Sequence, residues 1–413
     1  MKRVVIIGAG PAGMMAAIAA AANGASVILL EKKNQVGRKL SITGKGRCNL
    51  TTAVDQDSLI RGYPGNGRFL YGAFHQFSNQ DLVRFFNERG LKTKVERGNR
   101  IFPVSDSADD VVQVLYDAVK QAGVAISTST QVKELQIGEG RLVGVITERE
   151  TLTADAVIIA TGGLSYPGTG STGDGYQWAR QSGHRIIKPR PGLVPLLVKE
   201  PWVRDLQGLT LKNVKAAAFT AAGKKINEEF GELLFTHFGL SGPIILSMSR
   251  DIGEYLDRQS KPVTIQLDLK PALSEEKLEK RVQRDFDKYA RKMFKNGLND
   301  LLPKKMIPVI IQLCGIDPEK ECSQIDRQER LGLVQLLKNL AMTVYDTRPV
   351  AEAIVTAGGV DVKEVDPKTM QSKLLPGLFF AGEILDVDGY TGGYNLQAAF
   401  STGYVAGKYA AAG

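Results

Sequence analysis

A chain of 413 residues, 43% hydrophobic and 23% charged, has the size for two or three globular domains and excludes the disordered and low-complexity classes. Its 53 Lys and Arg against 44 Asp and Glu give +9, which favours an anionic partner such as a dinucleotide, a nucleic acid or a membrane surface. Three cysteines without a CxxC pair (Cys48, Cys314, Cys322) and three histidines argue against a disulfide framework and a metal site, and a reducing cytoplasm fits best.

At the N-terminus, Lys2 and Arg3 precede an apolar stretch that imitates a secretory signal, with Ala19–Ala22 in place of a cleavage region. Gly8, Gly10, Pro11 and Gly13 interrupt that stretch and suit a different design. No other apolar run approaches the roughly 20 residues of a membrane span, so none is expected. Val4–Ile7 is short and β-branched, Ala12–Ala22 is Ala-rich with no breaker before Asn23-Gly24, and Ser26–Leu30 is again apolar. The spacing predicts strand, helix and strand, a βαβ unit of a parallel sheet.

Gly8-Ala9-Gly10-Pro11-Ala12-Gly13 is a GxGxxG motif in its required place between strand and helix. Gly8 permits the tight turn, Gly10 lets the backbone approach a pyrophosphate, and Gly13 lets the helix pack on the strand. The helix N-terminus, with Pro11 and Ala12, offers N–H groups and partial positive charge to phosphates. Glu31, 18 residues after Gly13, ends the second strand, where it can bind ribose hydroxyls and repel a 2′-phosphate; Lys32 follows it. This motif serves FAD and NAD alike.

Later segments separate the two cofactors. Residues 37–49 form a basic, glycine-rich loop where an extended dinucleotide would leave the βαβ unit, with Arg38, Lys39, Ser41, Gly46, Arg47, Cys48 and Asn49 as candidate contacts. Arg38, Lys39 and Arg47 are expected to neutralise phosphate, the alternative being a solvated basic loop. Ala156–Ala160 reads as a strand closed by Thr161-Gly162-Gly163, and Gly377–Ala381 as another closed by Gly382-Glu383, an acid placed for a ribityl chain. Gly392-Gly393-Tyr394-Asn395 then leads into a helix from Leu396 to Ala410, with Gln397 in its first turn and its N-terminus expected to face the flavin. In this order the segments favour FAD. A second literal match, Gly168–Gly173, follows Tyr166-Pro167 in a loop without a strand-ending acid, so no separate nicotinamide site is expected there. NADH or NADPH would dock transiently over the flavin ring.

Between residues 193 and 355 the pattern changes. Val214–Thr220 and Lys225–Phe235 alternate as antiparallel strands do. Ser274–Asn296 repeats Leu278, Val282, Phe286, Ala290 and Met293 at helical spacing, with Ser274 as N-cap and Gly297 as terminator. A further helix, Gln328–Leu340, carries Leu331, Val334, Leu337 and Leu340 on one face. The block is expected to be an insert, β-rich over 193–270 and helical over 271–342, dividing the cofactor domain into 1–192 and 356–413. Lys270–Lys305 holds 11 Lys or Arg and 6 Asp or Glu, expected mostly on the Ser274 helix.

Gly8–Gly13, Gly44–Thr51, Ala160–Gly163 with Thr172–Tyr176, Leu234–Pro243, and Gly382-Glu383 with Gly392–Gln397 together resemble the YhiN/BaiN-like flavoproteins, nearly end to end. The resemblance implies an α/β fold, an FAD-binding Rossmann-like domain of the glutathione-reductase and fumarate-reductase-like type with an inserted β-rich plus helical domain. It also implies that Gln131-Val132 pairs its backbone with adenine. Lys45, Thr52 and Gln371 depart from the family pattern. The implied activities are reductions of conjugated C=C bonds, in uridine of large-subunit rRNA or in unsaturated keto-steroids. Such chemistry needs a proton donor. Cys48 is one candidate, against a buried packing role, and His237 another, against a structural histidine. An rRNA-modifying reductase is the leading expectation; a reductase or dehydrogenase of a small unsaturated carbonyl compound and a non-catalytic flavin-dependent RNA-binding or assembly factor are the alternatives.

Overall fold

The β-branched run at the N-terminus forms β1 (Arg3–Ile7), buried from Val4 onward. The Ala-rich run forms α1 (Pro11–Ala22), with proline in its first turn and an end at Asn23, and β2 follows (Ser26–Leu30). Next in the same sheet come β3 (Ala125–Ser127) and β4 (Ala156–Ile159), then α2 (Asp174–Gln181). β1 runs parallel to both β2 and β4, with Ile7 opposite Leu30 and Ile159. This register brings Gly8, Glu31 and Ala160 to one edge of the sheet.

The computed structural model describes residues 1–412, and the chain divides into two compact units: Met1–Gly192 with the segment from Val350 onward, and Leu193–Pro349. The second unit is built on a closed antiparallel barrel of β5 (Leu196–Val198), β6 (Thr210–Phe219), β7 (Lys225–Phe235) and β8 (Gly239–Ser241), followed through α3 (Pro243–Gln259) by β9 (Val263–Asp268). Helices α4 (Glu275–Lys288) and α5 (Arg327–Lys338) come next, and β10 (Leu340–Thr347) closes the barrel between β5 and β9.

Three expectations change here. The β-rich stretch 193–270 also contains a helix, α3, which buries Ile244, Ile245, Met248 and Ile252 at helical spacing after a proline start. The Ser274 helix stops at Tyr289, so Ala290 and Met293 lie outside it. Beyond that point the backbone pairs with a later segment, Cys322 N–H donating to Lys292 O (2.9 Å) and Phe294 N–H to Lys320 O (2.7 Å), and tertiary pairing overrides the helical pattern. In α5, Leu331 is exposed; Leu333, Val334 and Leu337 face the core.

The chain rejoins the first unit at Val350, ahead of the expected Thr356. β11 (Val355–Val360) pairs antiparallel with Ile186–Gly192, and β12 (Leu378–Phe380) completes a parallel sheet of order β12-β4-β1-β2-β3. The last helix, α6 (Tyr394–Ala412), lies against α1 at backbone distance: a Cβ on Gly403 would stand 2.3 Å from Ala12 O, and one on Gly407 2.1 Å from Ala16 O. Small residues on both helices thus bind the C-terminal segment to the N-terminal motif.

Candidate cofactor site

The carboxyl edge of the sheet gathers the glycine-rich segments. Gly8 has φ +103°, and a Cβ there would meet Ala160 O at 2.6 Å; one on Gly13 would meet Gly8 O at 1.8 Å. At Gly10 a Cβ would have nothing within 4 Å. Gly8 and Gly13 are therefore required by the protein's own packing, whereas the bare face of Gly10 opens to an approaching group. The first-turn N–H groups of Ala12 and Gly13 have no intrahelical partner, Pro11 having none to offer.

Glu31 is locked beside this turn. Its Oε2 accepts from Ala9 N–H (3.0 Å) and its Oε1 from Lys33 N–H (2.8 Å). Thr130 N–H donates to Glu31 O and Ser129 N–H to Lys33 O, both at 2.9 Å, which brings the chain leading to Val132 alongside. Val132 is buried at the start of the strand Val132–Gly138.

The cations behave differently from expectation. Lys32 Nζ donates to Asp174 Oδ2 (2.8 Å) and to Thr172 Oγ1. Lys39 Nζ donates to Glu383 Oε2 and Ser165 Oγ, both at 2.6 Å, while Glu383 Oε1 accepts from Thr356 N–H (2.8 Å) and Ser165 O–H (2.9 Å). Arg47 is held between Glu96 and Asp106, each at 2.5 Å, with its guanidinium 4.3 Å from the centre of the Phe102 ring. It braces its loop against the hairpin Thr93–Pro103, because two carboxylates saturate the charge that had been reserved for phosphate. Arg38 alone of the expected phosphate cations is exposed and makes no ion pair; its backbone carbonyl accepts from Ser41 Oγ (3.0 Å). Gly46 is exposed with φ +82°.

The loop and the start of α6 are joined. With its amide oriented to satisfy its neighbours, Asn49 donates to Thr51 O (3.0 Å) and Ile101 O (3.2 Å) and accepts from Gly393 N–H (3.0 Å). Gly393, at φ +98°, passes so close that a Cβ would lie 2.4 Å from Thr51 O. Asn395 donates to Gly389 O and accepts from Gly389 N–H, both at 2.9 Å, and the half-buried Leu396 follows. The Gln397 side chain is turned into the protein: it is fully buried, accepting from Thr51 Oγ1 (2.6 Å) and donating to Ser401 Oγ (2.9 Å), and so fixes the helix to the segment at Thr51.

The two proton-donor candidates belong to different units. Cys48 is completely buried, and burial pushes its thiol up to about 12, so it remains a neutral packing group in a left-handed turn. His237 lies in the barrel unit, on the exposed turn between β7 and β8, its ring edge-on to Phe238.

At the end of β4, Thr161 Oγ1 is buried without a protein partner, beside Gly162 at φ +72°. Gly382, at φ +78°, donates its N–H to Thr402 Oγ1 (2.9 Å) and packs against Ala12. Gly168–Gly173 follows a left-handed Tyr166 and a proline, not a strand. It turns beside the end of β2, where a Cβ on Gly170 would be 3.5 Å from Lys33 Cγ and 3.8 Å from Glu31 Oε1. Ser165 and Thr356 carry no signal in the sequence, and Thr172 and Asp174 stand out only within a family segment, since their partners lie far off in the chain and no spacing marks the pairings.

The model of the HI0933-like protein Rossmann domain matches residues 2–409. The chain belongs to this family. Across 413 residues it is 35% identical to the 3-dehydro-bile acid delta(4,6)-reductase of Clostridium scindens, covering 100% of this chain and 99% of that protein. It is 31% identical over 404 residues to the ribosomal RNA dihydrouridine synthase of Escherichia coli, covering 97% and 96%. The 3-ketosteroid delta1-dehydrogenase of Sterolibacterium denitrificans shares the fold, with a TM-score of 0.55 at 15% identity over 100% of both chains. This HI0933-like protein is thus an FAD-dependent oxidoreductase. The site fits FAD on its own geometry: an open Gly10 face at a helix N-terminus and a locked acid at the ribose position. Among the described residues no helix is long and apolar enough to cross a membrane.

Proposed function

We propose that this protein reduces a conjugated C=C bond with electrons from NADH or NADPH, and that the bond is the C5=C6 bond of a uridine in large-subunit rRNA. When bound, FAD supplies the redox chemistry; the chain's own residues hold it and place the substrate. The single observation that carries the reaction class is the pair of full-length relatives, one named as a reductase of a bile acid and the other as a synthase of dihydrouridine. Dihydrouridine is uridine with its ring C=C saturated, and the bond is conjugated to a carbonyl in both substrate types.

RNA is favoured by where the charge sits. Helix α4 itself is balanced, five Lys or Arg against five Asp or Glu, so the expected basic face is not on it. The surplus lies beyond it, in residues 289–305, with five Lys or Arg against one acid, Asp300. At its start Lys288, paired with Asp300 (2.7 Å), and Lys292 stand 4.9 and 4.4 Å from the centre of the Tyr289 ring, and Arg291, Lys292 and Lys304 are exposed. Cations grouped with an aromatic ring suit an RNA backbone, and a target base must leave its stack to be reduced. Such a substrate would place the protein in the cytoplasm.

A small unsaturated carbonyl substrate is the second reading, favoured by the 35% identity to the bile-acid reductase. Mass spectrometry of large-subunit rRNA from a strain lacking the gene tests the first: one dihydrouridine should disappear. Unchanged dihydrouridine together with saturable turnover of a free enone would establish the second.

A further inference from the structure

We propose that the second glycine-rich segment is a strap across the adenosine diphosphate end of the cofactor site, tethered by Lys32 and Lys39, and that its release sets the rate at which FAD leaves. The inference rests on the assignment of FAD to this site.

The segment runs from the end of β4 to the start of α2 and is fastened at both ends to the chain that follows β2. At its start, Ser165 Oγ accepts from Lys39 Nζ and donates to Glu383 Oε1. At its finish, Lys32 Nζ holds Thr172 and Asp174, and the Thr172 hydroxyl itself donates to Asp174 Oδ1 (2.8 Å). Between the two fastenings, Gly170 turns against Lys33 and the Glu31 carboxylate. The strap therefore lies on the residue expected to receive the ribose.

Its backbone is strained at one residue and turns at two glycines. Tyr166 sits at φ +51°, a left-handed conformation that disfavours a side chain, and Gly170 and Gly173 have φ +121° and +85°. Both ion pairs are largely sheltered, with side-chain exposures of 22% and 29% for Lys32 and Asp174 and 21% for both Lys39 and Glu383. They are therefore less screened than open surface pairs. Although burial works against ionisation, the hydrogen bonds from Lys32 and Thr172 hold the Asp174 carboxyl below its ordinary value.

A lysine that gripped a phosphate directly would act without Asp174. The two roles separate in a double-mutant cycle on the FAD dissociation rate, measured from holoenzyme by flavin fluorescence in the presence of an apoflavoprotein scavenger. Lys32→Met and Asp174→Asn should each speed release about tenfold, the double variant should be no faster than either, and Lys32→Arg should stay near wild type. Two results would overturn the strap: Asp174→Asn releasing FAD at the wild-type rate, or effects that multiply in the double variant. A wild-type protein that takes up no FAD would instead count against the cofactor assignment.

Discussion

Gly8–Gly13 and Gly168–Gly173 spell the same GxGxxG pattern and do different things. The first follows a buried parallel strand and opens a 12-residue helix, so its middle glycine leaves bare backbone open at a helix N-terminus. The second follows a left-handed Tyr166 and a proline, and its last glycine packs on Leu164 within the protein. What precedes and follows a glycine pattern decides whether it binds or merely turns.

The contrast can be broken most forcefully at Gly13. Gly13→Val drives a side chain into Gly8 O and should destabilise the protein by about 3 kcal/mol or more, seen as a lower melting temperature and loss of bound flavin. Gly10→Ala should leave melting of the flavin-free protein unchanged but weaken FAD binding about 100-fold in a fluorescence titration. Gly168→Ala, also with nothing within 4 Å, should change FAD affinity by less than about twofold; equal losses at both glycines would contradict the distinction. Glu31→Gln removes the charge expected to meet the ribose and should weaken FAD about tenfold.

The pH dependence of release sharpens the role of the second segment. Asp174 has a depressed carboxyl, so its contribution is present above the ordinary carboxylate value and fades only as pH falls through the lower folded-state value. FAD release should be level from neutral to mildly acid pH and rise below that range. A small effect is also expected at Cys48. Cys48→Ala should cost about 1 kcal/mol in a denaturant melt and leave turnover with pre-reduced flavin intact, while a loss of turnover at unchanged stability would restore the thiol as a proton donor.

Much of the first unit could be read in the sequence because its signals are local. The βαβ unit, the glycine turn, the acid ending β2 and the strand ends at Ala160 and Ala381 each declare themselves within a few residues. Lys225–Phe235 was equally plain as an alternating strand, and it forms β7 over that span. The Lys32, Lys39 and Arg47 pairings were not legible, because a basic residue in a loop looks the same whether it meets phosphate or carboxylate. Lys39 finds its partner 344 residues away. Helix α3 was hidden for another reason: its apolar residues follow directly on β7 and β8, and only the Gly242-Pro243 break marks the change from strand to helix. The basic surplus was located correctly in sequence and misplaced in structure, since α4 ends before most of it begins.

The most direct test of the proposed function is the dihydrouridine content of large-subunit rRNA in a strain carrying only the Gly10→Ala protein, beside strains with the wild-type gene and with none. The account predicts one dihydrouridine present with wild type, absent in the deletion, and restored poorly by Gly10→Ala at limiting FAD. Equal dihydrouridine in all three strains would contradict it.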